Sequence, residues 1–144
     1  MNEKNGTLQL PHTERRFEIQ LSPTPRGARL ARLLAVEWLR PRQDIPYDVT
    51  EAAAQIIAEL TANAVTHGRV AGRDFRLALT ARPGTLRIEV TDTRGEDLPE
   101  PHSGNGLLLV EELSDRWGIT PGPVPRKTVW AECDHTAGGR KTGP

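Results

Sequence analysis

The chain has 144 residues, enough for one domain with a single hydrophobic core between two layers. Its 19 basic and 19 acidic residues balance, so charge gives no argument for binding to nucleic acid or to an anionic membrane. No apolar run is long enough to cross a membrane, and the first residues lack the apolar segment of a secretory signal, so we expect a cytoplasmic protein.

The two ends of the chain are polar. Residues 1–14 are expected to be disordered, and the last segment, "DHTAGGRKTGP", is expected to form a flexible tail over residues 134–144. One domain then covers residues 15–133. Its single cysteine, Cys133, excludes an intramolecular disulfide, and its position in the run "TVWAEC" predicts an inert thiol on a strand.

The domain begins with a predicted strand and a predicted amphipathic helix. Apolar and polar residues alternate in "RFEIQLSP", which indicates a strand that ends at Ser-Pro. The next run, "PTPRGARLARLLAVEWLRPR", is rich in helix formers. Leu30, Leu34 and Trp38 are spaced by four and predict the apolar face of a first helix that stops at Pro41.

The second helix is the most clearly marked element. Asp48 and Glu51 are three residues apart, as an N-cap and its reciprocal partner are, and Gly68 is a natural terminator. Between them runs one predicted apolar stripe, formed by Ala53, Ile56, Ile57, Leu60 and Ala64.

The remaining elements predict the architecture. "RDFRLALT" and "TLRIEVTD" alternate and are joined by "ARPG", which predicts an antiparallel hairpin. "GLLLVEELSDRWG" predicts a third helix that closes at Gly118, and "KTVWAEC" a last strand. The order β-α-α-β-β-α-β indicates an α+β fold, a two-layer sandwich with three helices on one face of a mostly antiparallel sheet.

A row of polar residues follows the second helix. Glu59, Asn63 and His67 are spaced by four, so they form a slanted line beside the apolar stripe, whereas Glu51 and Thr61 are expected to face water. An Asn carbonyl suits Mg²⁺ that carries phosphate, a Glu one turn away can accept a proton, and a His can donate to phosphate. The alternative is a helix edge with three incidental polar residues.

Two later segments also have the chemistry of a nucleotide site. Asp92 ends the strand "RIEVTD", where a carboxylate can accept a hydrogen bond from an exocyclic amine, although Asp also commonly begins a turn. Gly104 and Gly106 precede the third helix, where glycines let the backbone approach a phosphate. The alternative there is a flexible entry loop. Neither a P-loop nor the Rossmann fingerprint is present.

Taken together, "ELTANAVTHG", Asp92 and "GNGLLLV" resemble the N, G1 and G2 boxes of the GHKL ATP-binding fold. That family includes gyrase-type ATPases, the ATP domains of histidine kinases and small bacterial anti-sigma-factor serine kinases. The chain is most similar to this last, stand-alone group, and the likeness runs from about Arg15 to Glu132. The resemblance implies a Bergerat-type sandwich that binds ATP and Mg²⁺.

The resemblance also implies roles for single residues. Asn63 would coordinate Mg²⁺, Glu59 would act as the general base or orient the nucleophile, and His67 would approach the phosphates. Asp92 would bind the adenine amine, with Thr128 nearby on the last strand. The phosphates would be held by Gly104, Gly106, Leu107 and Leu108.

One position departs from the family pattern. The G1 box usually has a small residue two places after its Asp, but here that place holds Arg94, and glycine follows at Gly95. The segment "TRGEDLPEPHS" is also short and contains prolines, which predicts a small lid over the nucleotide. Arg94 implies a differently shaped adenine wall or a low affinity for nucleotide, and the small lid implies phosphates that are less shielded from water.

Three functions are compatible with these residues. The first is an ATP-dependent serine/threonine-protein kinase that phosphorylates or sequesters a sigma factor or its antagonist in bacterial transcription control. The resemblance implies a homodimer, since dimers are common in that group. The second is a nucleotide-dependent binding module without turnover, which Arg94 and the short lid favour. The third is an interaction domain that has lost nucleotide binding.

Overall fold

The structure, a computed structural model, describes residues 14–67, 73–92, 107–123 and 126–136. In chain order the elements are β1 (Arg15–Leu21), α1 (Pro25–Leu39), α2 (Tyr47–His67), β2 (Phe75–Arg82), β3 (Thr85–Asp92), α3 (Leu107–Leu113), β4 (Arg116–Pro121) and β5 (Lys127–Asp134). The strands form one antiparallel sheet in the order β1-β2-β3-β5-β4. The three helices pack on one face, which confirms the predicted α+β sandwich of two layers.

The hydrophobic core fills the space between the helices and the sheet. Burial alternates along β3 and β5, so that every second side chain faces the helices. The predicted stripe of α2 is confirmed, since all five of its residues are at most 1% exposed. The predicted hairpin is confirmed as β2–β3, and its turn has Gly84 at φ 85°, a backbone angle that favours glycine.

The apolar face predicted for α1 is wrong at Leu30 and Leu34, whereas Trp38 does pack against the core. Leu30 and Leu34 are 37% and 39% exposed, whereas Ala31, Ala35 and Leu39 are completely buried. The reason is close packing, because α1 turns its small residues towards α2 and β1 and leaves larger leucines outside. The spacing of four was correct, but it does not distinguish adjacent rows of the helix.

Two expectations for α2 are also corrected. Thr61 is completely buried rather than solvated, and its Oγ1 donates to the carbonyl of Ile57 at 2.7 Å. α2 packs against both other helices as well as the sheet, so more of its circumference is covered than one stripe predicts. Asp48 lies inside the first turn, and the carbonyl of Pro46 accepts the first backbone bonds, so the predicted capping pair is not formed.

The sequence prediction missed the strand β4. α3 ends at Leu113, where the N–H and Oγ of Ser114 both donate to the Val110 carbonyl. Gly118 is then a strand residue opposite Trp130, and a Cβ added to it would lie 2.8 Å from that indole ring. Glycine is needed there for the approach of the ring, not for ending a helix.

The sheet face opposite the helices carries charged side chains. Arg87 bonds Glu89 at 2.7 Å and Glu132 at 2.8 Å, and its guanidinium lies 4.4 Å from the centre of the Trp130 ring. The hydrogen bond from Arg87 lowers the pKa of Glu132. Arg116 joins the same network, and its partner Asp134, assigned to the tail from sequence, is the last residue of β5.

None of the helices described is long and apolar enough to span a membrane. Residues 1–13, 68–72, 93–106, 124–125 and 137–144 lie outside the described part of the chain.

Candidate functional site

The predicted polar row lies on the last three turns of α2. Glu59 is half-buried, and Asn63 is 7% exposed beside the fully packed Leu60 and Ala64. The row therefore turns from the helix edge into the interior, as expected for side chains that line a cleft. His67 is the last residue of α2, and its side chain lies outside the described part of the structure.

The Asn63 amide is the most unusual polar group on this helix. Its Nδ2 atom is buried and has no hydrogen-bond partner among the described residues. Buried polar atoms are almost always paired, and an unpaired one costs about 1–3 kcal/mol. An amide kept in this state has both an oxygen that suits Mg²⁺ and an N–H that suits a phosphate oxygen.

The surrounding residues bear on what kind of metal ion fits. The described residues include no group of three or more His, Cys, Asp or Glu side chains that could hold a metal. A site built by protein ligands alone is therefore not present in the described ranges. One neutral Asn oxygen does fit Mg²⁺ that keeps its waters and brings phosphate ligands with it.

Asp92 lies where the sequence placed it, at the end of β3. Its side chain is on the helix side of the sheet and is 5% exposed. Both carboxylate oxygens accept hydrogen bonds from Lys127 Nζ, at 2.8 and 2.7 Å. Lys127 is 2% exposed and is the direct cross-strand partner of Asp92 at the start of β5.

The structure does not place Thr128 beside Asp92. Successive side chains of a strand point to opposite faces, so Thr128 lies on the face away from the helices. There its Oγ1 is 2.7 Å from the Oγ1 of Thr91. The residue of β5 that shares a face with Asp92 is Lys127, one position earlier.

Sequence reasoning missed Lys127, although a signal was available. In the predicted strand "KTVWAEC", alternation places Lys127 on the same face as Val129 and Ala131, which are core residues. A lysine in register with core positions needs a buried partner, since an unpaired buried charge is costly. Asp92, at the end of another predicted strand, was the available carboxylate.

The residues predicted to hold phosphate are only partly within the described structure. Leu107 and Leu108 begin α3, with Leu107 buried and Leu108 48% exposed, and α3 packs against α2. An α-helix directs its first N–H groups along its axis, where an anion can meet them. Gly104, Gly106 and the departing Arg94 lie outside the described residues.

A cleft of about 290 Å³ opens at the end of the sheet beside Asp92. Three arginine residues line it, Arg73, Arg76 and Arg126. Asn63 and Glu59 are not among its lining residues, so this cleft adjoins the carboxylate end of the candidate site only. The candidate site combines Asn63, buried on α2, with Asp92, buried on the helix side of β3, and α2 packs against both β3 and β5.

A family model described as "Histidine kinase-like ATPase domain" matches residues 21–131. A solved structure of the RsbU and RsbW domains of Rv1364c from Mycobacterium tuberculosis is similar, with a TM-score of 0.64 and 24% identity over 83% of this chain. That likeness concerns the fold, and the chain covers 32% of the other protein's length. No curated protein sequence matches the chain.

Proposed function

Since the chain belongs to the histidine kinase-like ATPase domain family, matched over residues 21–131, we propose that it binds ATP with Mg²⁺ between α2 and the sheet and regulates a partner protein. The observation that carries this proposal is the buried, unpartnered amide of Asn63. A nucleotide phosphate with its Mg²⁺ would satisfy that amide. The remaining Mg²⁺ ligands would be phosphate oxygens and water.

The other residues take roles that fit their positions. Asp92 would accept a hydrogen bond from the adenine amine, because it is the last residue of β3 and its side chain is buried on the helix side of the sheet. The backbone of Leu107 and Leu108, with the preceding Gly104 and Gly106, would hold phosphate at the start of α3. His67 would approach the same phosphates from the end of α2.

Phosphoryl transfer to a partner is the second part of the proposal. Glu59 is half-buried one turn before Asn63, so its carboxylate would stand near the γ-phosphate when Asn63 holds the metal. From there it would accept the proton of a serine or threonine hydroxyl supplied by the partner, or orient that hydroxyl. The chain would then act as a protein serine/threonine kinase.

The partner proposed from the family resemblance is a sigma factor or the antagonist of one, met in the bacterial cytoplasm. The chain would sequester this partner or phosphorylate it, and would act as a homodimer if the isologous pairing common in such proteins applies here.

Calorimetric titration with Mg-ATP tests the nucleotide site. Wild-type protein should bind, and Asn63→Ala should bind at least about tenfold more weakly, because the amide's contacts to metal and phosphate are lost. Gln55→Ala is the matched control, since Gln55 is exposed on the same helix. It should leave the affinity unchanged. Folded wild-type protein without affinity at millimolar Mg-ATP would exclude the proposal.

Labelled ATP and a candidate partner separate a kinase from a binding module. Transfer of label by wild type and not by Glu59→Gln, with Mg-ATP binding retained, supports the kinase. If wild type binds Mg-ATP and captures the partner but transfers no label, the protein is the nucleotide-dependent binding module instead. Thermal melting of both proteins checks that Glu59→Gln keeps its fold.

A further inference from the structure

Lys127 occupies the side of the site where the base is proposed to bind. Its side chain is 2% exposed, and its Nζ lies 2.8 and 2.7 Å from the two carboxylate oxygens of Asp92, on the helix side of the sheet. The two residues face each other across antiparallel strands, so the backbone holds the pair in register. The Lys127 ammonium is therefore held in a fixed position next to the Asp92 carboxylate.

Lys127 has one N–H donor beyond the two hydrogen bonds that it gives to Asp92. An ammonium group has three N–H donors, and the two bonds to Asp92 leave one that this carboxylate does not take. Each carboxylate oxygen can accept more than one hydrogen bond. The pair can thus offer a donor and an acceptor side by side, with no net charge.

A neutral partner with an adjacent donor and acceptor matches this arrangement. The Watson–Crick edge of adenine has the N6 amine as donor beside N1 as acceptor. A carboxylate alone would recognise only the amine. We propose that Lys127 is a base-reading residue that donates to N1 of adenine while Asp92 accepts from N6. This rests on the proposed function, because it assumes that ATP binds with its base at Asp92.

Burial is what makes the contact selective. In water, a hydrogen bond from water replaces a lost hydrogen bond to N1. Asp92 and Lys127 are only 5% and 2% exposed, so water does not replace it at this site. A nucleotide without an acceptor at this position would leave the third donor of Lys127 unpaired. Lys127 should therefore set affinity through N1 itself and not through the phosphates.

The test compares Mg-ATP with Mg-1-deaza-ATP, in which a CH group replaces N1, by calorimetry. Wild type should prefer ATP by about tenfold or more, as expected for a hydrogen bond from a charged donor. Lys127→Met, which keeps the length of the side chain but removes the donor, should bind both nucleotides equally. Arg126→Met removes a charge from the neighbouring exposed position and should keep the wild-type preference.

Other outcomes overturn the inference in distinct ways. An unchanged preference in Lys127→Met would show that Lys127 does not read N1. Tighter ATP binding by Lys127→Met would show that Lys127 competes with the base for Asp92. A wild-type preference for Mg-GTP would show that the pair reads a 6-oxo purine. If folded wild type binds none of these nucleotides, the proposed function fails instead.

The variant leaves Asp92 buried without its partner, so its fold has to be checked by thermal melting. If Lys127→Met does not fold, the double variant Lys127→Met/Asp92→Asn, which removes both charges together, is used in its place in the same comparison of Mg-ATP with Mg-1-deaza-ATP. Wild type measured with 7-deaza-ATP gives a further control, since that analogue changes a ring nitrogen on another edge. Equal losses with the 1-deaza and 7-deaza analogues would contradict a specific contact at N1.

Discussion

Cys133 shows how one position in a strand determines the chemistry of a side chain. Its thiol faces the helices, is 3% exposed, and lies 3.8 Å from the carbonyl oxygen of Leu113. Burial, followed by the charge of Asp115, raises the pKa of Cys133 to about 11. At neutral pH the group is a thiol and not a nucleophilic thiolate. This agrees with the inert thiol expected from "TVWAEC".

The raised pKa predicts a loss of stability in alkali that depends on this residue. In the unfolded chain Cys133 has its ordinary thiol pKa, whereas in the folded protein its pKa is about 11. Its contribution is therefore complete below pH 9 and decreases as pH rises towards 11, by roughly 2–3 kcal/mol in total. Urea unfolding of wild type and Cys133→Ala should show the stability difference shrinking over this range. A constant difference would contradict the assignment.

At the residue scale the sequence predicted positions better than partners. Asn63 is buried beside the apolar stripe of α2, where helix spacing placed it. Asp92 is buried and is the last residue of β3, where the sequence pattern placed it. Thr128 was predicted near Asp92, but the residue of β5 on that face is Lys127, one position earlier. Successive residues of a strand face opposite sides of the sheet, and nothing in the local sequence shows which side Thr128 faces. The Asp92–Lys127 contact joins residues far apart in the chain, and only strand pairing brings them together.

At the element scale α1 has two apolar sides, one buried and one exposed. Gly27, Ala31, Ala35 and Leu39 face the interior. Leu33 is 59% exposed on the outer side, although it is as apolar as any core residue. Sequence periodicity could not separate the two sides, because both contain leucines at helical spacing. The choice was made by the close approach of α1 and α2, which only small side chains allow.

This packing predicts a large loss of stability for one leucine of α1 and almost none for another. Leu39→Ala should lower the free energy of unfolding by about 2–4 kcal/mol, because it leaves a cavity in the core. Leu33→Ala should change it by less than about 0.5 kcal/mol, as for most surface positions. Urea denaturation measures both. Equal losses would mean that the outer side of α1 is covered in solution.

The strand β4 shows why an element can be missed altogether. Its six residues, "RWGITP", directly follow a short helix and have glycine in the middle, which locally favours a helix end. What makes them a strand is the pairing of β4 with β5, with Gly118 opposite Trp130. That partner lies beyond a segment rich in Pro and Gly, so local sequence patterns do not contain the information.

At the scale of the whole molecule, the helices and the sheet meet at the proposed site. α2 packs against β3 and β5, so Asn63 on the helix layer and Asp92 on the sheet layer belong to different layers of the sandwich. A nucleotide that contacts both would join the layers. Ligand binding should therefore be visible as stability of the entire domain, and not only as a local change.

Thermal melting measures this linkage. Mg-ATP at a hundredfold excess over its Kd should stabilise wild type by about 2.7 kcal/mol, because it binds the folded state only. The melting temperature should rise accordingly. Asn63→Ala should show little of this rise at the same nucleotide concentration. A rise of equal size in Asn63→Ala would mean that ATP stabilises the domain through another site.

The placement of Trp130 has a spectroscopic consequence. Its indole lies between Gly118 and the guanidinium of Arg87, on the sheet face away from the helices. Emission from this ring should follow the unfolding of the sheet and should be insensitive to a ligand that enters between the layers. Intrinsic fluorescence is therefore suited to denaturation curves of this protein. In a variant that keeps Trp130 as its only tryptophan, with Trp38 and Trp117 replaced by Phe, a spectral change on addition of Mg-ATP would show that the sheet itself rearranges.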